Sequence, residues 1–109
     1  MNLSEDDHRR IVQWARQHVE IVEVYLYGSR ARGDSRADSD IDLALVMRAT
    51  SGSSSGFETW FDWHKSYKEA PDLKLSHEPH LEWYEADADL ETVGSGVQRD
   101  GILLYRRED

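Results

Sequence analysis

The sequence predicts a single α+β domain spanning residues 1–109. Three observations predict it. An apolar stripe at helical spacing opens the chain, at Ile11, Trp14, Ala15 and Val19. Two β-branched and aliphatic runs follow, Ile21–Tyr27 and Ile41–Met47, and a third, Ile102–Tyr105, comes near the end. The length of 109 residues, 39% of them apolar and 32% charged, suits one modest core and excludes a disordered chain.

Each element has its own signal. Ser4 followed by Glu5, Asp6 and Asp7 is a cap with acids in the first turn, so a helix is expected from about Glu5 to His18. Ile21–Tyr27 reads as a mostly buried strand that stops at Gly28. The Gly28-Ser29 turn opens either a short helix or a loop. Ile41–Met47 is the second strand. Its parity places Asp40, Asp42 and Ala44 on one face and Ile41, Leu43 and Leu45 on the other, which is core. Thr50–Gly56, rich in Ser and Gly, reads as a loop. Phe57, Trp60, Phe61, His64 and Tyr67 follow helical spacing, so a second helix is expected to about Ala70, where Pro71 ends it. Leu73–Leu75 is a candidate edge strand, and Leu81–Tyr84 a stronger one with Pro79 at its entrance. Asp87–Asp100 reads as a short helix weakened by Gly94 and Gly96, before the last strand at Ile102–Tyr105. No internal repeat is present.

The bulk properties narrow the function. A net charge of −9 argues against a domain that grips nucleic acid by neutralising phosphates. The absence of cysteine excludes disulfides, thiolate catalysis and zinc-thiolate sites. No apolar run has the length of a membrane span and no signal-peptide pattern opens the chain, so a cytoplasmic protein is expected.

The chemistry concentrates in GSRARGDSRADSDIDLAL, Gly28 to Leu45. A glycine directly after a buried strand lets backbone approach a ligand closely, and free amides there favour phosphate. Taken alone, glycine-serine after a strand is an ordinary turn. Asp40-Ile41-Asp42 puts two hard oxygen ligands side by side, a geometry that suits magnesium bound through carboxylates and phosphate oxygens. Taken alone, it is a solvated strand edge. Together they place a phosphate cradle and two carboxylates at the same edge of a sheet.

These residues also carry a resemblance. Gly28-Ser29-Arg30-Ala31-Arg32-Gly33 and Ser39-Asp40-Ile41-Asp42-Leu43 resemble the signature of the nucleotidyltransferase superfamily related to DNA polymerase beta, and more narrowly its minimal nucleotidyltransferase (MNT) family. The match is dense over Tyr25 to Val46; the opening helix and the closing GVQRDGILLYRR fit more loosely. The resemblance implies a small mixed β-sheet flanked by helices. It implies that Gly28 and Ser29 bind the triphosphate of ATP or another nucleotide, that Arg30 and Arg32 add phosphate contacts, and that Asp40 and Asp42 hold two Mg2+ ions. It further implies transfer of AMP to a hydroxyl, with this chain as the antitoxin of a pair whose partner is a HEPN-type helical RNase. A homo-oligomer is compatible with all of this. The Arg32-Gly33-Asp34 triplet is read as coincidence.

One departure stands out. The family pattern has a third carboxylate on a later strand, and here the comparable run is Glu78-Pro79-His80-Leu81-Glu82-Trp83. His80 falls where that carboxylate belongs, with Glu78 and Glu82 of the same parity beside it. Either His80 or Glu82 is then the third catalytic group. A histidine can act as a base, yet it is a poor magnesium ligand. The alternative function is a nucleotidyltransferase fold that has lost its chemistry and blocks a partner by contact. A polymerase or drug-modifying domain ranks last, since 109 residues leave no room for a second domain.

Overall fold

The computed structural model describes residues 1–50, 55–67, 70–85 and 93–108. The elements in chain order are α1 (Glu5–Gln17), β1 (Ile21–Tyr27), α2 (Ser29–Arg32), β2 (Ile41–Met47), α3 (Gly56–Tyr67), β3 (Pro79–Trp83), α4 (Val93–Asp100) and β4 (Ile102–Arg106). The four strands form one mixed sheet in the order β3-β2-β1-β4. β1 is antiparallel to β2 and to β4, whereas β2 and β3 run parallel. This is the α+β architecture that the sequence predicts.

α1 begins where its cap dictates. The Ser4 hydroxyl accepts the Asp7 amide at 3.0 Å, and three acids occupy the first turn. The helix stops at Gln17, so Val19 lies beyond it and is 55% exposed. The buried place expected for Val19 goes instead to His18. Its Nδ1 accepts from Trp63 Nε1 at 3.2 Å, and its Nε2 lies 2.5 Å from Asp72 Oδ2. Asp72 also accepts from Trp14 Nε1 at 2.9 Å. Burial raises the Asp72 carboxyl, but the bonds from His18 and Trp14 outweigh it and leave the group below its ordinary value.

The sheet has two unlike faces. Ile41, Leu43, Leu45 and Met47 of β2 join Val24 and Leu26 of β1, Ile11 and Trp14 of α1, and Trp63 of α3 in the main core. The alternation expected for β2 is therefore observed. A smaller cluster on the opposite face holds Tyr27, Ala44, Tyr84 and Val97. That face carries the polar residues of the site.

Three expectations need correction. Leu73–Leu75 forms no strand. Leu73 is buried, but the segment is held by side chains of α1 rather than by a sheet edge, with Arg10 donating to the Lys74 carbonyl and buried Asp7 accepting from the Ser76 amide and hydroxyl. α3 (Gly56–Tyr67) presents a different stripe from the one expected: Thr59 and Trp63 are buried, while Phe57 and Phe61 are about half exposed, and the expected continuation through 68 and 69 lies outside the described residues. Ala70 then takes a left-handed φ of 47° ahead of Pro71. β3 starts earlier than expected, at Pro79, because parallel pairing extends to Ile41↔Pro79. The expected loop at 50–56 and the first half of the helix at 87–100 fall largely outside the described residues.

Candidate active site

β1 ends at Tyr27, and the chain turns through Gly28 with φ 77° and ψ −156°. Only glycine adopts this conformation without strain. The position is bare for a second reason: a Cβ there would stand 2.5 Å from Asp42 Oδ2. The turn backbone is thus pressed against one of the two aspartates. Ser29 opens the single-turn helix α2, and Gly33 closes it in the left-handed region with φ 84°.

β2 lies between its two neighbours in a register that lines up three residues on one face. Tyr27 of β1 is opposite Asp42, and Asp42 is opposite His80 of β3. Asp42 Oδ1 lies 3.3 Å from His80 Nδ1, and His80 Nε2 lies 3.5 Å from Glu82 Oε1. The imidazole therefore bridges two carboxylates on adjacent strands. Burial raises the Asp42 carboxyl above its ordinary value; His80 opposes the rise and the neighbouring Asp40 charge adds to it. Burial, then the charges of Asp42 and Glu82, push the Tyr27 phenol far up, so it stays protonated. Asp40 precedes β2, is exposed, and makes no hydrogen bond or ion pair among the described residues.

The structure brings together most of the residues singled out from sequence. Gly28, Asp42, His80 and Glu82 form one continuous strip across β1, β2 and β3. The two arginines are engaged elsewhere. Arg30 is buried, and its guanidinium donates from Nε and Nη2 to the Ser39 carbonyl and from Nη1 to the Asn2 carbonyl. It is neither a free phosphate donor nor a solvent-facing charge. It clamps the chain just ahead of Asp40. Arg32 pairs with Asp34 at 3.2 Å and with Asp100 at 3.6 Å, which ties α2 to the end of α4.

Three features escaped the sequence. Tyr27 sits in register with Asp42, and Gly96 lets α4 approach the Tyr27 ring, since a Cβ there would stand 3.2 Å from it. Beside β3, a pocket of about 330 Å³ is lined by Asp40, Glu78, His80 and Glu82 together with Trp60 and His64 of α3. The period of α3 signalled a helix, but nothing local signalled where its aromatic residues would meet the site.

The donor set has a clear chemical preference. Two hard carboxylates beside a bare glycine turn suit a divalent cation shared with phosphate oxygens. A histidine opposite Asp42 suits magnesium less well. Among the described residues, no three His, Asp or Glu side chains form a preassembled metal cluster. The same residues also include no helix long and apolar enough to cross a membrane.

Comparison with known proteins gives the fold its family. The sequence pattern of the family "Polymerase beta, Nucleotidyltransferase" matches residues 9–109. The chain is similar in structure to a protein solved as "Crystal structure of the toxin-antitoxin with AMP-PNP", with a TM-score of 0.51 and 15% identity over 93% of this chain and 74% of that one. At that identity the likeness speaks for the fold alone. No curated protein matches the sequence. With nearly its whole length matched, the chain belongs to the polymerase beta-like nucleotidyltransferase family.

Proposed function

We propose that the protein transfers AMP from ATP to a hydroxyl group of a partner protein, as the antitoxin half of a toxin–antitoxin pair whose partner is a HEPN-type helical RNase. The observation that carries this reading is the approach of Gly28 to Asp42. A turn that only glycine can make, pressed to within a Cβ's reach of a carboxylate, is a costly arrangement for a mere connection. It supports a site where triphosphate and carboxylate share one small space. The similar fold of a protein solved as a toxin–antitoxin with AMP-PNP is in keeping with a protein partner and a nucleotide.

In this reading Gly28 and Ser29 face the triphosphate with backbone and hydroxyl donors. Asp40 and Asp42 would hold magnesium, which when bound neutralises charge at the transferred phosphate. The acceptor oxygen attacks the α-phosphorus, the bond to the β-phosphate bridging oxygen breaks, and pyrophosphate leaves. The acceptor's proton needs a base, and the imidazole of His80, flanked by Asp42 and Glu82, is placed to take it. Arg30 contributes indirectly by fixing the Ser39 carbonyl ahead of Asp40.

One observation favours a second reading. The residue opposite Asp42 is a histidine rather than a carboxylate, and it already bonds the aspartate. A chain with such a site could act by contact alone. ATP titrations with and without magnesium test the first reading. Magnesium should tighten ATP binding to the wild type and leave the Asp40→Asn/Asp42→Asn double variant unaffected. Equal affinity under both conditions in the wild type would favour the contact reading.

A further inference from the structure

Part of the lining of the pocket beside β3, namely Glu78, Trp60 and His64, has no role in the transfer chemistry. β3 is the last strand on its side of the sheet, so the pocket lies at an open strand edge. Among the described residues, three carboxylates line it, Asp40, Glu78 and Glu82, and no lysine or arginine does. The side-chain carboxylates of Asp40 and Glu78 are exposed and have no hydrogen-bond or ion-pair partner among the described residues, although the Glu78 backbone carbonyl accepts from the Ile41 amide. Trp60 and His64 form its other wall, stacked with ring centroids 5.3 Å apart and planes within 10°. A stacked aromatic pair in a pocket with two carboxylates that have no ion-pair partner among the described residues matches one side chain above others. A guanidinium stacks on the rings with its face and bonds carboxylates with its edge, which an ammonium does less well. Without magnesium to screen them, the same carboxylates repel an anionic triphosphate.

The strand order gives the pocket its role. Gly28 lies on the β1 side of Asp42, and the pocket lies on the β3 side. If the nucleotide enters from the glycine turn, the acceptor must come from the other flank. We infer that the Trp60–His64 pocket binds an arginine side chain of the acceptor protein and so brings the neighbouring hydroxyl to Asp42 and His80. This inference rests on the transfer reading, but the binding it predicts can be measured without catalysis.

The test uses short blocked peptides containing a tyrosine and one arginine, with lysine or citrulline versions as controls. Binding to the intact protein is followed by tryptophan fluorescence and calorimetry, without nucleotide. The arginine peptide should bind about tenfold more tightly than the citrulline peptide, which keeps the shape and loses the charge. Glu78→Gln should erase most of that difference and leave citrulline binding alone. Glu78 is exposed, so the variant is expected to fold. Equal binding of the two peptides, or binding of neither, overturns the inference. Displacement of the arginine peptide by adenosine also overturns it, because the stack would then be a nucleobase site. A parallel ATP–magnesium titration separates the two readings. Normal ATP binding with no peptide preference sinks the arginine pocket alone, whereas loss of both sinks the transfer reading beneath it.

Discussion

Replacing Gly28 with alanine isolates the feature on which the site depends. Two costs add. Alanine at φ 77° and ψ −156° occupies a region that is nearly glycine-only, at about 1–3 kcal/mol. Its Cβ would also stand 2.5 Å from Asp42 Oδ2, so the carboxylate must leave its rotamer and its contact with His80, at roughly 1 kcal/mol more. The sum is about 2–4 kcal/mol, a drop in Tm on the order of 15 °C for a domain of this size. ATP affinity should fall at least about tenfold, since the turn backbone can no longer reach the phosphates. The two costs are separable. The Asp42 Cβ lies 3.6 Å from the added Cβ, an ordinary contact, so in an Asp42→Ala background Gly28→Ala should cost only the backbone strain. The double-mutant cycle should therefore show coupling of about 1 kcal/mol. A Gly28→Ala protein with wild-type Tm and wild-type ATP affinity would refute the reasoning outright.

Other perturbations have defined signs. Because burial holds the Asp42 carboxyl above its unfolded value, the native state binds that proton more tightly and the charged form costs stability as pH rises; Asp42→Asn should raise Tm at neutral pH without metal, and the gain should shrink as the solution is acidified toward pH 4. An unchanged or lower Tm at neutral pH would argue against a desolvated carboxylate. Asp72 has the opposite sign: its folded value lies below the unfolded 3.8, so its stabilisation is full above that pH and is lost as pH falls through the folded value. Asp72→Ala should cost about 1–2 kcal/mol in thermal unfolding, trimmed by its partial exposure, because Trp14 and His18 lose their acceptor. At the third site position, His80→Asp should increase AMP transfer, because a carboxylate there can still take the acceptor's proton and adds a hard oxygen ligand, as read by labelled-nucleotide incorporation. Loss of transfer in Glu82→Gln with no effect of His80→Asp would instead make Glu82 the third ligand.

The parts of the fold legible in the sequence are those written in local periodicity and caps. Ser4 and the acids after it fixed the start of α1, and the strict alternation of β2 set Asp42 against the core-facing Leu43. Long-range partners were not legible. Nothing around Leu73 signals that α1 side chains, not a strand, hold that segment. The α3 stripe expected from spacing lies one step off the observed one, since the bond from Trp63 to His18 at the far end of α1 helps set the buried side and local spacing does not contain it. The site divides in the same way. Gly28, Asp42 and the histidine at position 80 follow from the motif and its parity. Arg30 does not, because a charged side chain in a polar run gives no sign that two backbone carbonyls will claim it. The Trp60–His64 wall was hidden for the same reason.

The most direct test of partner modification is mass spectrometry of the intact partner. The protein is incubated with ATP, magnesium and its proposed partner, a HEPN-type RNase, and the partner's mass is recorded. The partner should gain the mass of one or more AMP groups, pyrophosphate should appear in equal amount, and both should vanish with Asp40→Asn/Asp42→Asn. A partner that forms a stable complex with this chain yet keeps its unmodified mass would contradict the transfer reading and leave the fold acting by contact alone.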